Sequence, residues 1–337
     1  MVNAGYLAGF VDGEGTLTIA KRRRHSGRSI EYSVRVSISN TNKEILETIQ
    51  DVWGGTLATQ FPDDPSWKPS HDLIWTNAAA VAVLTQIAPH LGIKSSHAVA
   101  LLGFQVHIRR CGRTRDAKGR LRPLSESPLE IREIFYRRLK RLNARGAKPP
   151  SSRPEAGSDM RAENSVETSR DYLAGFIDAE GCLAIAKVRD RSTNRPRYSG
   201  RISVSNTDRS VLDGIREVYG GIFVNRPPPR ASWKHLYQVV WTGGMVGELL
   251  SKVGPYLRIK QPQVVVMTDL LLHMMNTKRR DNRTGYPRLS DRVLEFREGL
   301  YARMKELNAK GTFPPPTRPI RPTEKPDSHN PKNPEPL

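Results

Sequence analysis

The sequence predicts an α+β protein built from two copies of one αββαββα domain, related by a pseudo-twofold axis, each carrying a curved antiparallel sheet. Two observations predict it. Residues 6–21 (YLAGFVDGEGTLTIAK) return as residues 172–187 (YLAGFIDAEGCLAIAK), identical at 12 of 16 positions. The offset of 166 then persists through Asn40 and Asn206, Gly54 and Gly220, Trp67 and Trp233, and Lys94 and Lys260. A chance match does not hold register over that length, so the chain contains an internal duplication. Within each copy, moreover, the spacing of apolar residues switches between helical and strand periods in the same order.

The opening helix has residues without bulk four apart, Gly9 and Gly13 in the first copy and Gly175 and Ala179 in the second. That spacing puts them on one face, along which another helix backbone can approach. Leu17 and Ile19, then Val34, Val36 and Ile38, alternate with polar residues, which predicts two strands with one buried face. Ile45, Leu46, Ile49, Val52 and Trp53 fall at helical spacing and stop at Gly54, a C-terminal signal. Strands at 56–61 and 71–76 follow, then helices at 78–88 and 96–108. A last helix is expected after Ser127 as N-cap, with Pro128 at the first position and Glu130 completing a capping box. The resulting division is 1–148 for the first domain, 149–169 for a Pro- and Ser-rich linker, 170–312 for the second domain and 313–337 for a Pro-rich tail expected to lack its own fold.

The chain has 54 Lys and Arg against 34 Asp and Glu, a formal charge of +20. The basic residues recur through both copies, which points to a polyanionic partner lying along a broad surface. The two cysteines, Cys111 and Cys182, exclude a disulfide framework and a cysteine-rich zinc site. No apolar run reaches the roughly 20 residues of a membrane span, and the repeated segment begins so early that no leader is expected. A soluble protein without a membrane partner follows, working in an organelle or a prokaryotic cytoplasm. There is no Walker A loop, G-x-G-x-x-G, H-N-H or GIY-YIG pattern.

If the two small-faced helices lie side by side, their C-terminal ends bring Glu14 and Glu180 together. A helix C-terminus carries partial negative charge and the two acids repel, so something positive must compensate. A divalent ion suits this, because Mg²⁺ prefers one or two carboxylates with waters and phosphate oxygens over a full protein cage.

The nonamers LAGFVDGEG, from Leu7, and LAGFIDAEG, from Leu173, resemble the LAGLIDADG signature, and the resemblance covers both copies. It implies a single-chain, two-repeat homing endonuclease that cuts one phosphodiester in each strand of a long DNA site. It implies that Glu14 and Glu180 bind Mg²⁺, with Mn²⁺ or Ca²⁺ able to take the same sites, helped by the backbone carbonyls of Gly13 and Ala179. It also places Lys94 and Lys260 near the active site, where each could polarise the attacking water or offset charge on phosphorus. Asn40 and Asn206 match a position that orders water around the metals, against the alternative of turn-forming residues at a strand end. The first acids, Asp12 and Asp178, read as structural residues of the interface between the helices, together with Gly9 and Gly175.

The resemblance makes the two sheets a saddle for double-stranded DNA. The strand residues that alternate with the core set, Thr18, Arg22, Ser33, Arg35 and Ser37, with Arg24 beyond them, then face the major groove. Arg35 and Arg201 can bond guanine edges and Ser37 and Ser203 give weaker contacts. Gln60, Arg226 and Gln238 are comparable candidates on the other strands. Lys68 and Lys234 are read as phosphate contacts beside an indole that is either a buried platform or simple packing. The Arg-rich stretches at 109–122 and 278–288 read as phosphate clamps; neutralising about 8 phosphates predicts a log–log salt slope of about −7, measurable by titrating binding against KCl. Thr18 answers Ala184, Arg22 answers Val188 and Gln60 answers Arg226, so the target should be asymmetric. Covalent duplication predicts a monomer. The competing readings are an intron RNA-splicing maturase, alone or in addition, whose partner is its own intron RNA, and a cleavage-inactive DNA-binding regulator.

Overall fold

Asn3 and Ser169 begin the two motif helices: each side chain accepts the amide N–H of a tyrosine three residues on, Tyr6 at 2.9 Å and Tyr172 at 3.2 Å. This caps donors that have no partner inside the helix. The computed structural model describes residues 2–23, 30–64, 67–111, 126–144, 168–191, 194–228, 230, 234–277 and 289–309. The first copy runs α1 (Ala4–Glu14), β1 (Gly15–Arg23), β2 (Ile30–Asn40), α2 (Lys43–Trp53), β3 (Thr56–Gln60), β4 (Ser70–Thr76), α3 (Asn77–Ile87), α4 (Ser95–Arg110) and α5 (Glu126–Leu142). The second runs α6 (Arg170–Glu180), β5 (Gly181–Arg189), β6 (Pro196–Asn206), α7 (Arg209–Tyr219), β7 (Ile222–Arg226), β8 (Leu236–Thr242), α8 (Gly244–Val253), α9 (Gln261–Asn276) and α10 (Asp291–Leu307).

The sheets are antiparallel, ordered β1-β2-β4-β3 and β5-β6-β8-β7. Leu17 pairs with Val36 and Ile19 with Val34, so the apolar set lies in register on one face, where each is 2% exposed or less. A one-residue slip would turn that whole set to the other face, which is why the period-two pattern specifies the register so firmly. The indoles of Trp75 and Trp241 fill the same place in each copy and donate to the carbonyls of Trp53 and Tyr219 at the ends of α2 and α7.

The outline αββαββα holds for the first seven elements, and two further helices close each copy over the apolar face. Glu133 of α5 accepts from Lys21 and Tyr32, and Glu298 of α10 from Lys187 and Tyr198. At the far end Asn143 and Asn308 donate to the carbonyls of Leu17 and Leu183, which gives the repeated Leu-Asn-Ala segment its role. The expected capping box is a correction: α5 begins at Glu126, so Ser127 lies inside the first turn. Pro128 is tolerated there because first-turn amides have no intrahelical acceptor. Thr168 and Ser169, assigned to the linker from composition, belong to the fold: the Thr168 carbonyl accepts from Tyr219 and Ser169 caps α6. The rest of the linker after Pro149, the tail, Arg24, Trp233, most of the first Arg-rich stretch and all of the second down to Arg288 lie outside the described residues. No described helix is long and apolar enough to cross a membrane.

Candidate functional site

The two copies meet along α1 and α6, and glycine sets their separation. A methyl group at Gly9 would sit 2.0 Å from the carbonyl oxygen of Tyr172, and one at Gly175 would sit 2.0 Å from that of Tyr6. Toward the C-terminal ends Gly13 faces Ala179, whose methyl carbon would lie 2.4 Å from an added Cβ. The expected small-residue face is therefore the contact itself.

Across this contact each copy grips the other's first acid. Tyr6 Oη–H donates to Asp178 and Tyr172 Oη–H to Asp12, both at 2.8 Å. Burial raises both phenols, as does the acid each one meets, so they remain donors. Asp12, 2% exposed, also accepts the amides of Gly92, Ile93 and Lys94. Asp178, equally buried, accepts those of Arg258, Ile259 and Lys260. The first acids thus hold backbone donors at the interface, in keeping with a structural reading, and they pin the segment that enters α4 and α9. These tyrosines escaped the sequence reading; their signal was identity in both copies immediately before the motif.

That pinned segment delivers Lys94 and Lys260 to the helix ends. Lys94 Nζ donates to the carbonyls of Val11 at 2.8 Å and Asp12 at 2.5 Å, and Lys260 Nζ to that of Asp178 at 2.5 Å. A helix's last carbonyls have no partner of their own, so the ammonium groups neutralise the end where the glutamates emerge. Burial lowers both lysines, against the pull of the surrounding acids. Part of the positive charge that the converging acids require is thus already in the protein, a contribution that spacing could not reveal.

Glu14 and Glu180 project from the last residues of the two helices; a Cβ on Gly13 would lie 3.0 Å from Glu180 Cγ, so the side-chain stems converge. Burial raises both carboxyls, and the charge of Glu180 raises Glu14 further. Both lysines, one from each copy, pull each acid back down. Among the described residues no group of three or more His, Cys, Asp or Glu could cage an ion. Two carboxylates that are open to solvent at the helix ends, beside helix-end carbonyls, fit instead a hard cation that fills its shell with water and phosphate oxygens. The carbonyls of Val11 and Asp12 are engaged by Lys94, and Gly13, with Ala179 opposite, comes next along the helix.

Acids whose folded value is raised cost stability. Unfolded glutamates ionise near 4.5 while the folded ones keep their protons, so stability falls as pH rises from 4.5 through the folded value, and the deficit persists above it. At neutral pH in a chelator, Glu14→Gln is therefore expected to melt at a higher temperature than the native chain. A lower midpoint in calorimetry would show that the carboxylate is not strained.

Asn40 and Asn206 take the turn role: their Oδ1 atoms accept the amides of Asn42 and Asp208, leaving the Nδ2 donors for other partners. On the sheet face opposite the core lie Thr18, Ser33, Arg35, Ser37 and Arg201, all half-buried, with Arg22, Gln60 and Arg226 exposed. Gln60 is engaged with Asp72, which also accepts from Ser39. Ser203 and Gln238 are corrections: they are 7% and 8% exposed, and Gln238 bonds Ser205 and Arg201 along its row, so neither stands free for direct readout. Trp67 is 70% exposed, which removes the buried indole expected beneath Lys68. Lys234 is exposed.

Residues 7–70 match the family model described as LAGLIDADG endonuclease. The chain is 30% identical over 111 residues to the DNA endonuclease I-CvuI of Chlorella vulgaris; that segment is 32% of this chain and 66% of the relative, just under two thirds of its length. Among solved structures, the LAGLIDADG meganuclease I-AabMI bound to uncleaved DNA superposes with a TM-score of 0.58 at 14% identity, over 89% of this chain and 98% of that one. The I-LtrWI LAGLIDADG homing endonuclease bound to target DNA gives 0.58 at 16%, over 88% and 96%. I-SmaMI bound to uncleaved DNA target in the presence of calcium ions gives 0.57 at 13%, over 90% and 98%. At these identities the superpositions establish the shared fold.

Proposed function

As the chain belongs to the LAGLIDADG family, we propose that it is a site-specific double-strand DNA endonuclease of the homing type, hydrolysing one phosphodiester in each strand of a long asymmetric site and leaving short staggered ends. The observation that carries this reading is the convergence of Glu14 and Glu180 at the closed helix interface, with Lys94 and Lys260 bonded to the carbonyls of the same helix ends. Both carboxylates would hold Mg²⁺, with Mn²⁺ or Ca²⁺ as substitutes, and the carbonyls of Gly13 and Ala179 complete the protein's share. When bound, the ion supplies Lewis acidity toward a phosphate oxygen and makes a water acidic enough to attack at neutral pH.

The chain's own residues do the rest. Lys94 and Lys260 keep the helix ends neutral enough for two carboxylates and a polyanion to share the space. Asn40 and Asn206 offer amide donors to water without titrating. Asp12 and Asp178 fix the lysine-bearing segments, and the sheet-face residues Arg35, Arg201 and Arg226 meet bases or phosphates of duplex DNA. Covalent duplication makes the working unit a monomer.

The test is to incubate the full chain with a randomised duplex library in Mg²⁺ and sequence the cut molecules, with sedimentation of the DNA complex alongside. One long, non-palindromic site cut on both strands, by one chain per duplex and only with a divalent ion, is expected. Recovery of uncut library alone, or a palindromic site held by two chains, would overturn the reading.

A further inference from the structure

The two sheets have the same register but differ in chemistry at several positions on the face away from the core. In the first copy, Thr56 pairs with Ile74, Ala58 with Asp72 and Gln60 with Ser70. At the same positions in the second, Ile222 pairs with Val240, Val224 with Gln238 and Arg226 with Leu236. Strand alternation places these residues opposite Leu73 and Val239, which are fully buried in the core. Ile222 is 52% and Leu236 38% exposed, so the second sheet shows branched apolar side chains where the first has the hydroxyls of Thr56 and Ser70, while Ile74 and the buried Val240 are apolar in both.

These apolar side chains lie among charged ones on the same face. Val240 lies beside Ser203 in the row that starts from Cys182, two residues past Glu180, and Arg201 and Arg226 flank the apolar side chains. Duplex DNA suits this mixture, because it offers phosphates for the arginines and, in the major groove, the 5-methyl group of thymine for the apolar side chains. Resting on the nuclease reading, we propose that the second sheet selects thymine-rich sequence in its half of the target by burying thymine methyls against Ile222, Val224 and Leu236. The first sheet, with Thr56, Ser70 and the Asp72 carboxylate on this face, reads its half chiefly by hydrogen bonds. The asymmetry of the target is then one of chemistry, apolar in one half and polar in the other.

Deoxyuridine tests this directly, because it pairs as thymine does and lacks only the methyl. Duplexes enriched from a random library by binding to the full chain are resynthesised with deoxyuridine in one half or the other, and dissociation constants are measured. The expected result is thymine enrichment in one half only, with about a fourfold loss of affinity for each methyl removed there and none for those in the other half. Ile222→Thr, which installs the first copy's residue at an exposed position, is expected to abolish the penalty at one thymine. Selected sites that are cut normally yet indifferent to deoxyuridine, or equally sensitive in both halves, overturn this inference and leave the nuclease reading standing. Failure to enrich any duplex overturns both.

Discussion

Replacing both Glu14 and Glu180 with glutamine is expected to abolish cleavage of both strands in Mg²⁺, by at least about a thousandfold, or roughly 4 kcal/mol of barrier, while duplex binding survives. Glutamine keeps the volume and the polar contacts but cannot offer a charged ligand to a hard cation. Binding survives because the face of the sheets is untouched, and removing two negative charges near the phosphates offsets the loss of the ion that they would hold. Strand-resolved single-turnover assays with each end labelled, run beside an affinity measurement, separate the two effects. Full cutting by the double variant would refute the assignment of these residues. The same glutamates are raised by burial and, at Glu14, by the neighbouring carboxylate, so the variant should also be the more stable protein without metal. Gain of stability with loss of activity is the signature of a strained functional pair; a merely structural acid would lose both.

Gly9→Ala is the second large effect. The added methyl would lie 2.0 Å from the Tyr172 carbonyl oxygen, and this obstacle is backbone, which no rotamer change can move aside. The helices must separate, and separation breaks the bonds of Tyr6 and Tyr172 to the acids opposite, leaving buried polar groups unpaired. A cost of at least about 3 kcal/mol is expected, a large share of a stability of about 5–15 kcal/mol. Gly175→Ala should match it, because Gly175 meets the Tyr6 carbonyl at the same distance. Gly299→Ala is the control: it lies in α10 with nothing within 4 Å, so it should be neutral or stabilising by up to about 1 kcal/mol. Urea unfolding of the three variants decides the matter; if Gly9→Ala and Gly299→Ala unfold alike, the helices are not in backbone contact in solution.

Much of the candidate site was legible because duplication prints its acids, lysines and asparagines twice. Glu14 stands out by its return as Glu180, and the small faces of α1 and α6 by their four-residue spacing. Lys94 and Lys260 were legible as positions but not as acts. Repetition marks that a lysine matters, while its bonds to the helix-end carbonyls 82 and 83 residues away depend on where Asp12 and Asp178 anchor the entry to α4 and α9. Asn40 and Asn206 show the opposite case: the local two-residue turn, a short-range preference, prevailed for their oxygens over any longer reach. Ser203 and Gln238 alternate correctly for the outer face, yet their row neighbours cover them, because burial on a sheet depends on which strands lie alongside.

The sequence by itself determined the duplication, the order of elements, which face of the first two strands of each copy is buried and the recurrence of the two acids, since each of these rests on side-chain periods and spacings within one segment of chain. Only the tertiary structure decided how the acids are made tolerable and how the halves are locked. The tyrosine–aspartate bonds join residues 160 and 172 positions apart and exist only once two glycines let the helix backbones touch. Such long-range bonds have no period to read, because their geometry is created by the packing that they in turn stabilise.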